Sequence, residues 1–562
     1  MKNLSKILII FAILTGVLVA CKKFDDHLQD PSAGRPESAN VDLYLNEVQL
    51  AMVNFFNVEG TEPGLSENGE ELTRMEYLAA RTYLDAYSPE SFDGTWRNAY
   101  SSLIKNGDAL IPIARNTNRH LHIGITQVLK AYTLATLVDF FGDVPLTEAN
   151  LGNENTNPKT DAGRAVYNAA LALLDSSIAS FGRVTSTTPL PLNDLFFGGT
   201  ATVKAASWRR VAKTMKLKLY NQTRLVDNTV KAKIDALITD GDLITTDAQA
   251  FVFKFGSKAI NPNSRHPKYN TYYTSTGAQD YIGNYFMWSV YLEKGQGIDP
   301  RWRYYFYRQI GNVTTVPVTT LSCLTSSRPP HYPADPYPYC FAHFAGFYGR
   351  DHGDDQGIPP DGQLRTVWGV YPAGGRFDNS EGVKHTGPND GAQGQGIHPF
   401  WQPAFTDFVR AETALKLATA GDARVLLESG VRKSIATVVA YPATVSITVP
   451  TTRVPTPATI QTYVDKVLSL YDAAATSDDK LDVIMKEYYI ALWGNGVESY
   501  NNYRRTGMPK NMQPNLNASA GPFLRSMFYP GVFANRNNSV TQKTTTNVKV
   551  FWDTNPDNIF VN

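Results

Sequence analysis

Apolar residues recur at helical spacing through most of the first 250 residues. The clearest example is the stretch 130–150, KAYTLATLVDFFGDVPLTEAN. Its apolar positions, three residues apart on one helix face, are Tyr132, Ala135, Val138 and Phe141. Gly142 stands where a helix often ends in a left-handed residue, and Pro145 prevents an immediate restart. The pattern predicts a buried helix that ends at Gly142.

The same spacing predicts further helices, separated by about one helical hairpin. They cover residues 41–57, 70–86, 96–115, 166–178, 208–219 and 232–244, and then 405–418, 426–439, 460–475 and 481–492. We find no regular strand alternation and no repeated wording at a fixed period. The chain is therefore predicted to be mostly α, built from stacked helical hairpins.

The pattern changes between about residues 251 and 400. Gly and Pro become frequent, helical periodicity fades, and thirteen aromatic residues fall within residues 269–307. A block of this length is too long for a plain connection, so we interpret it as a loop-rich, aromatic-rich insertion with its own packing. Residues 41–250 and 401–510 then form a helical scaffold, 251–400 faces a ligand, and 511–562 is an irregular surface tail.

The first 20 residues are typical of a secretion signal. Lys2 and Lys6 precede an apolar run too short to span a bilayer comfortably, and LVAC ends at Cys21. The run resembles a lipoprotein signal, in which Cys21 is acylated and becomes the new N-terminus. The alternative is an ordinary secretion signal with an incidental cysteine. Residues 21–40 are polar and are predicted to be a flexible tether between the lipid and the fold.

The net charge and the cysteine content limit which partners and which covalent bonds we expect. The formal charge is +1 and evenly spread, which gives no electrostatic case for nucleic acid. Besides Cys21 there are only Cys323 and Cys340, and in an exported protein this favours one local disulfide over two unpaired thiols.

We find no established catalytic motif in the sequence. HExxH, GxSxG, CxxC and a phosphate-binding glycine loop are all missing from it. The glycine-rich residues 349–362 carry four carboxylates that could hold a structural Ca²⁺: Asp351, Asp354, Asp355 and Asp361. Their spacing is not that of an EF-hand, so a solvated turn is the competing interpretation.

Several stretches together resemble one family. They are WRNAYSSL, AYTLATLVDFFGDVPLTEA, WRRVAKTMKLKL, DPRW, FVRAETALKLATAG and ESYNNYRRTGMP, in this order behind Cys21. On these motifs the chain resembles the SusD/RagB family of outer-membrane nutrient-binding lipoproteins. The departures from the family pattern lie mainly in residues 313–389.

The resemblance implies a scaffold of tetratricopeptide-like hairpins and a lipid-anchored protein on the cell surface. It implies a binding protein without an enzymatic activity, which captures an oligosaccharide, or a peptide in some branches. The expected partner is a SusC-type TonB-dependent outer-membrane barrel. A surface glycoside hydrolase and a purely structural surface protein remain the rival interpretations.

Exposed aromatic rings can stack on sugars, although the same rings fill irregular cores. We selected five rings as candidate ligand contacts: Trp96, Trp288, Trp302, Trp368 and Tyr371. Trp96 and Trp302 lie inside motifs typical of the scaffold, so a structural role competes with binding for both.

Overall fold

The computed structural model describes residues 40–57, 64–80, 82–311, 323, 326–333, 338–341, 345–356, 360–384 and 387–561. The predicted signal, Cys21 and almost all of the predicted tether lie outside the described residues.

The first half of the chain is a stack of helices joined by short loops. They are α1 (Val41–Asn57), α2 (Leu65–Leu72), α3 (Tyr83–Ala86), α4 (Asp93–Arg97), α5 (Lys105–Asn116), α6 (His120–Phe141), α7 (Gly163–Phe181), α8 (Ala201–Gln222) and α9 (Val230–Asp240). A π-helical segment, Asn98–Ile104, joins α4 to α5. Consecutive members pack on each other, α5 on α6, α6 on α7 and α7 on α8.

Helix α6 lies at the centre of this stack. It is long and apolar enough to cross a membrane, yet 94% of its most apolar window is buried within the fold. As predicted, it ends at Gly142, which has a φ of 80° and whose N–H donates to Val138 O at 2.9 Å. The side chain of Asp143, in the turn that follows, bonds a residue outside the turn: its Oδ1 accepts a hydrogen bond from Gly163 N at 2.7 Å.

Residues 251–400 are irregular but not free of helices. They contain β1 (Phe251–Lys254), α10 (Pro267–Tyr272), α11 (Asn284–Tyr291), α12 (Trp302–Tyr305), β2 (Phe306–Tyr307), β3 (Val367–Trp368) and β4 (Ile397–Trp401, which runs one residue beyond). Two small antiparallel sheets form, β1 with β4 and β2 with β3. In the second, Phe306 pairs with Trp368.

Helices resume after β4 and complete the scaffold. They are α13 (Pro403–Leu417), α14 (Ala423–Thr444), α15 (Pro457–Ala473), α16 (Ser477–Ala491), α17 (Gly496–Thr506) and the short α18 (Gly531–Ala534). Helix α13 packs on α14 and α16, and α17 packs on α2 from the start of the chain. The predicted mostly-α fold of stacked helical hairpins is confirmed.

The predicted helix over residues 70–86 is wrong. Helix α2 ends at Leu72, the described residues 73–80 and 82 are not helical, and α3 begins at Tyr83. Hydrogen bonds to residues distant in the sequence replace the helical ones here: Tyr77 N donates to Tyr281 O at 3.3 Å, and Met75 O accepts from Gly283 N at 3.0 Å. Apolar periodicity could not reveal these long-range partners.

The expectation of a surface tail after residue 510 also needs correction. The segment is largely irregular, but Met527 and Trp552 are fully buried. Trp552 Nε1 donates to Asp139 Oδ1 of α6 at 2.9 Å, and Met527 N donates to Phe140 O at 2.7 Å. The tail therefore covers the end of the central helix and belongs to the core.

Candidate functional site

The five predicted ligand-contacting rings are all buried. The exposed fractions are 7% for Trp96, 6% for Trp288 and Trp302, 0% for Trp368 and 2% for Tyr371. The other four of the eight tryptophans are buried too. Stacking on a sugar requires an accessible ring face, and these rings offer their faces to other side chains instead.

Trp96 and Trp302 pack in the scaffold. Trp96 lies against Phe533 with ring centroids 4.8 Å apart. The guanidinium carbons of Arg303 and Arg308 lie 4.1 and 4.7 Å from the Trp302 ring, and they cover it.

The other three rings lie deeper or beneath charged groups. Lys486 Nζ lies 5.5 Å from the Trp288 ring. Trp368 stacks on Trp493, and the Tyr371 hydroxyl accepts from Gln402 Nε2 at 3.0 Å. A ligand surface is therefore expected elsewhere on the protein.

Two of the four carboxylates proposed for Ca²⁺, Asp351 and Asp361, are occupied by protein donors. Asp361 accepts from Tyr281 and Tyr348 hydroxyls at 2.8 and 2.9 Å and from Arg365 Nε at 2.7 Å. Asp351 accepts from Gln513 Nε2 at 2.7 Å, and burial raises the pKa of Asp351 to about 6. The Arg365 guanidinium compensates the charge of Asp361, and the donors to both carboxylates occupy oxygens that a cation would need.

A different carboxylate group gathers beside β3. Ligand oxygens of Glu67, Glu76 and Asp280 lie within 4.8 Å of one another. The ammonium of Lys268 pairs with Glu67 at 3.2 Å and bonds Glu76, so a side-chain cation already offsets one of the three carboxylate charges. Burial, followed by the charge of Glu76, raises the pKa of Asp280 to about 7.

Cys323 and Cys340 form a disulfide, with Cα atoms 5.4 Å apart. Cys340 N donates to Asp351 Oδ2 at 3.0 Å, and Gln513 Nε2 donates to Pro338 O at 2.8 Å. We call the segment that this disulfide closes, residues 323–340, the cysteine loop. Its described residues are thereby attached to residues 349–362 and to the segment after residue 510.

This attachment forms the best candidate ligand surface. Two clefts of about 310 Å³ each lie along the loop 514–522: residues 519–522 line one, and residues 514, 515, 517 and 518 line the other. We call them together the Asn515 surface; their lining residues are 82–84, 331, 333, 514, 515, 517–522, 528, 544–546, 560 and 561. One wall is His331 of the cysteine loop, and another is Leu84 of α3, whose side chain is 64% exposed.

The loop that carries the Asn515 surface is fixed to the scaffold. Leu516 N donates to His352 O at 2.8 Å, and Tyr83 N donates to Ala520 O at 3.1 Å. His352 is buried beside Arg74, and burial, then that positive charge, lowers the pKa of its imidazole well below the usual range. The neutral imidazole of His352 forms a hydrogen bond with the Tyr83 hydroxyl; its Nε2 lies 3.2 Å from the hydroxyl oxygen.

The described residues lining the Asn515 surface include no Asp, Glu, Lys or Arg. They offer amides, hydroxyls and an imidazole beside apolar groups: Asn515, Asn517, Ser519, Thr544, Thr545, Thr546 and His331, next to Leu84, Pro333, Pro522 and Phe528. Asn515 itself is only 1% exposed, and its Nδ2 has no hydrogen-bond partner within the described part of the chain. The groups open to a ligand include the exposed hydroxyls of Ser519 and Thr544. Such a surface can exchange hydrogen bonds with hydroxyl groups and pack on apolar C–H faces.

Sequence reasoning missed this surface because most of it comes from the segment expected to be a plain tail. The available signal was the density of Asn and Thr after residue 510, which is equally typical of a solvated loop. Only the fold brings this segment beside α3 and the cysteine loop.

Comparison with known proteins adds to this geometry. A family model described as "Starch-binding associating with outer membrane" matches residues 36–318, just over half of the chain. A second, described as "Susd and RagB outer membrane lipoprotein", matches residues 394–551. No curated protein sequence matches significantly.

Solved structures share the fold. A SusD homologue from Bacteroides fragilis superposes with a TM-score of 0.64 at 16% identity, over 92% of this chain and 99% of that one. A SusD/RagB family protein from Bacteroides thetaiotaomicron gives 0.64 at 18%, over 92% and 100%. A chitin-binding SusD homologue from Flavobacterium johnsoniae gives 0.61 at 17%, over 92% and 100%. At these identities the structures show the fold alone, whereas the family models carry the assignment: the chain belongs to the SusD/RagB family of outer-membrane lipoproteins.

Proposed function

We propose that this protein binds a neutral glycan at the cell surface and delivers it to a SusC-type TonB-dependent outer-membrane transporter. The observation that carries the proposal is the uncharged, hydroxyl- and amide-rich lining of the Asn515 surface. A sugar hydroxyl both donates and accepts hydrogen bonds, so mixed neutral donors and acceptors suit it. Family membership and the chitin-binding relative agree with a glycan as the ligand.

The same lining favours a glycan over a peptide. A peptide brings charged termini and often charged side chains, which lose hydration on binding and need a charged partner. The described lining of the Asn515 surface supplies no ionised carboxylate, ammonium or guanidinium. Peptide capture by this surface would therefore cost desolvation without a compensating ion pair.

Binding without turnover is the mode that this surface supports. Glycoside hydrolysis needs two carboxyl groups placed on either side of the scissile bond. The described lining contains none. A screen against polysaccharides tests the point: turnover that disappears on changing a single Asp or Glu would replace the binding proposal with a hydrolase.

Delivery to a barrel requires the protein to stay at the membrane. We infer that Cys21 carries acyl chains and that residues 22–40 tether the fold to the outer membrane, at the cell surface. Two or more acyl chains anchor a protein stably, whereas one binds reversibly. Co-purification of a large barrel with the detergent-solubilised lipoprotein would support the transporter as partner.

Calorimetric titration with chitin and starch oligosaccharides tests the ligand. We expect saturable binding that weakens about tenfold in Thr544→Ala, which removes an exposed hydroxyl of the surface and with it one hydrogen bond to the ligand. Leu84→Asp should also weaken binding, and Val425→Asp is its control because Val425 is similarly exposed, at 61%, and lies outside the Asn515 surface. Binding of peptides but no glycan, or equal binding by all variants, would overturn the proposal.

A further inference from the structure

A third cleft, of about 400 Å³, lies between α15 and α16. We call it the Lys294 cleft. Glu293, Lys294, Lys486 and Asn511 form its floor, and Leu470 is part of its wall. Its volume falls at the lower end of the roughly 300–1,000 Å³ of small-molecule sites. Its described lining shares no residue with the Asn515 surface.

The floor contains two buried ammonium groups held in position. Lys486 Nζ donates to Tyr285 Oη at 2.7 Å and to Asn511 Oδ1 at 3.0 Å, and it lies 3.1 Å from Glu293 Oε2. Lys294 Nζ pairs with Glu487 Oε1 at 3.0 Å. Both lysines are less than a tenth exposed. Rigid charged groups of this kind are pre-organised for a ligand.

Bonding capacity remains after these contacts. An ammonium carries three N–H donors. Lys294 has one carboxylate oxygen at 3.0 Å and a second, of Glu293, only at 3.8 Å. On the acceptor side, Asp482 at the rim receives Lys510 N at 2.8 Å on Oδ1, which leaves Oδ2 for another donor.

The charges in the lining balance. Lys294, Lys466 and Lys486 face Glu293, Asp479 and Asp482. A simple anion or cation would find as many like charges as opposite ones in this cleft, so ionic attraction gives neither an advantage. A hydroxyl group, which donates to a carboxylate and accepts from an ammonium, uses both signs.

The wall supplies the apolar half of the site. Leu470 is 38% exposed, and Val483, Ala473 and Ala474 extend this apolar side. The C–H face of a saturated ring with several hydroxyls can lie on these methyl groups while its hydroxyls reach the floor.

We propose that the Lys294 cleft binds one neutral polyhydroxylated ring, a ligand of monosaccharide size, at a site separate from the Asn515 surface. Lys294 donates to a ring hydroxyl, Asp482 accepts from another, and Leu470 packs on the ring. The site does not depend on the function proposed for the Asn515 surface.

Ligand-observed NMR and calorimetry with D-glucose, D-galactose and N-acetyl-D-glucosamine test the site. We expect at least one of these sugars to bind the full-length protein and binding to weaken about tenfold in Lys294→Met. Ala474→Trp removes no bonding group but fills the cleft, and it should abolish binding. Lys218→Met is the matched control, because Lys218 is also buried and pairs with a single glutamate at 3.0 Å, Glu498, outside the cleft.

Three results would overturn the proposal: no sugar binds, binding survives in both cleft variants, or sodium glutamate binds more tightly than every sugar. Thr544→Ala separates the two sites, because Thr544 is exposed and lines only the Asn515 surface. Monosaccharide binding that is lost in Thr544→Ala and kept in Lys294→Met belongs to the Asn515 surface and refutes a Lys294 site. If instead monosaccharide binding is lost in Lys294→Met and kept in Thr544→Ala, and the protein binds no oligosaccharide, the result supports the Lys294 site and refutes the proposed function.

Discussion

Trp368 and Trp493 stack with ring centroids 3.7 Å apart and planes inclined by 23°. Trp368 belongs to β3, in the aromatic segment, and Trp493 follows α16 of the scaffold. The Trp368 indole also donates to Glu76 Oε1, after α2, at 2.6 Å. These contacts join three distant parts of the chain, so the aromatic segment is fastened to the scaffold by Trp368, a ring that the sequence had suggested for ligand binding.

Removing the Trp368 ring should therefore reduce stability. We expect Trp368→Ala to lower the free energy of unfolding by about 3–5 kcal/mol, the usual cost of deleting a buried aromatic side chain. Trp368→Phe should cost less, because a ring still faces Trp493 and only the bond to Glu76 is lost. Denaturant titration measures both. If a Trp368 variant unfolds like the wild type but no longer binds glycan, Trp368 is a ligand contact and this account is wrong.

Glu412 should make the protein acid-sensitive below pH 4.5. Burial by itself would raise the pKa of Glu412, but the guanidinium groups of Arg505 and Arg224 outweigh it and hold the pKa at about 2. Because the folded-state pKa is below the unfolded one, the stabilisation is complete above pH 4.5 and is lost as the pH falls to about 2. The loss amounts to about 3 kcal/mol.

Thermal unfolding of wild type and Glu412→Gln between pH 6 and pH 2 measures this contribution. The difference between the two proteins should shrink as the pH falls through this window. Glu428→Gln is the control, since Glu428 forms a partly exposed pair with Arg432. A constant difference across the window would contradict the assignment.

Reducing the Cys323–Cys340 disulfide should loosen one wall of the Asn515 surface. The bond closes a 17-residue separation, for which loop closure predicts about 3 kcal/mol of stabilisation. The double variant Cys323→Ser, Cys340→Ser should unfold earlier and bind glycan less tightly, because His331 lies within the closed loop. Native protein in which both thiols react with a maleimide would show that the disulfide does not form.

Lys268 should supply the positive charge that a metal ion would otherwise bring to the Glu67–Glu76–Asp280 group. We expect the wild-type melting temperature to be unchanged by EDTA or by added Ca²⁺. Lys268→Met leaves buried carboxylates unneutralised and should cost about 3–5 kcal/mol. Added Ca²⁺ should restore part of that loss, since three carboxylates are suitable Ca²⁺ ligands. Calcium stabilisation of the wild type would contradict this account.

Cys21 should decide where the protein is found. Cys21→Ala should move it from the membrane fraction to the soluble fraction, and mass spectrometry should detect acyl chains only on the wild type. Glycan affinity of the isolated protein should be the same for both. A Cys21→Ala protein that remains in the membrane fraction would show that anchoring does not depend on acylation of this residue.

The sequence by itself determined the helical scaffold and its order. Spacing of apolar residues and the stop at Gly142 are local properties, written in neighbouring residues, so the principal helices could be predicted from them. The family resemblance rested on the same scaffold motifs. The failed prediction over residues 70–86 marks the limit, because bonds to residues 281–283 replaced the helical ones there.

Only the tertiary structure decided which aromatic rings are covered and where a ligand surface remains. A tryptophan's exposure depends on residues far away in the chain: Trp552 bonds Asp139, 413 positions earlier, and Trp368 needs Glu76 and Trp493. The Asn515 surface likewise exists only where α3, the cysteine loop and residues 514–522 meet. Periodicity describes a segment's own faces, whereas burial is fixed by what packs against them.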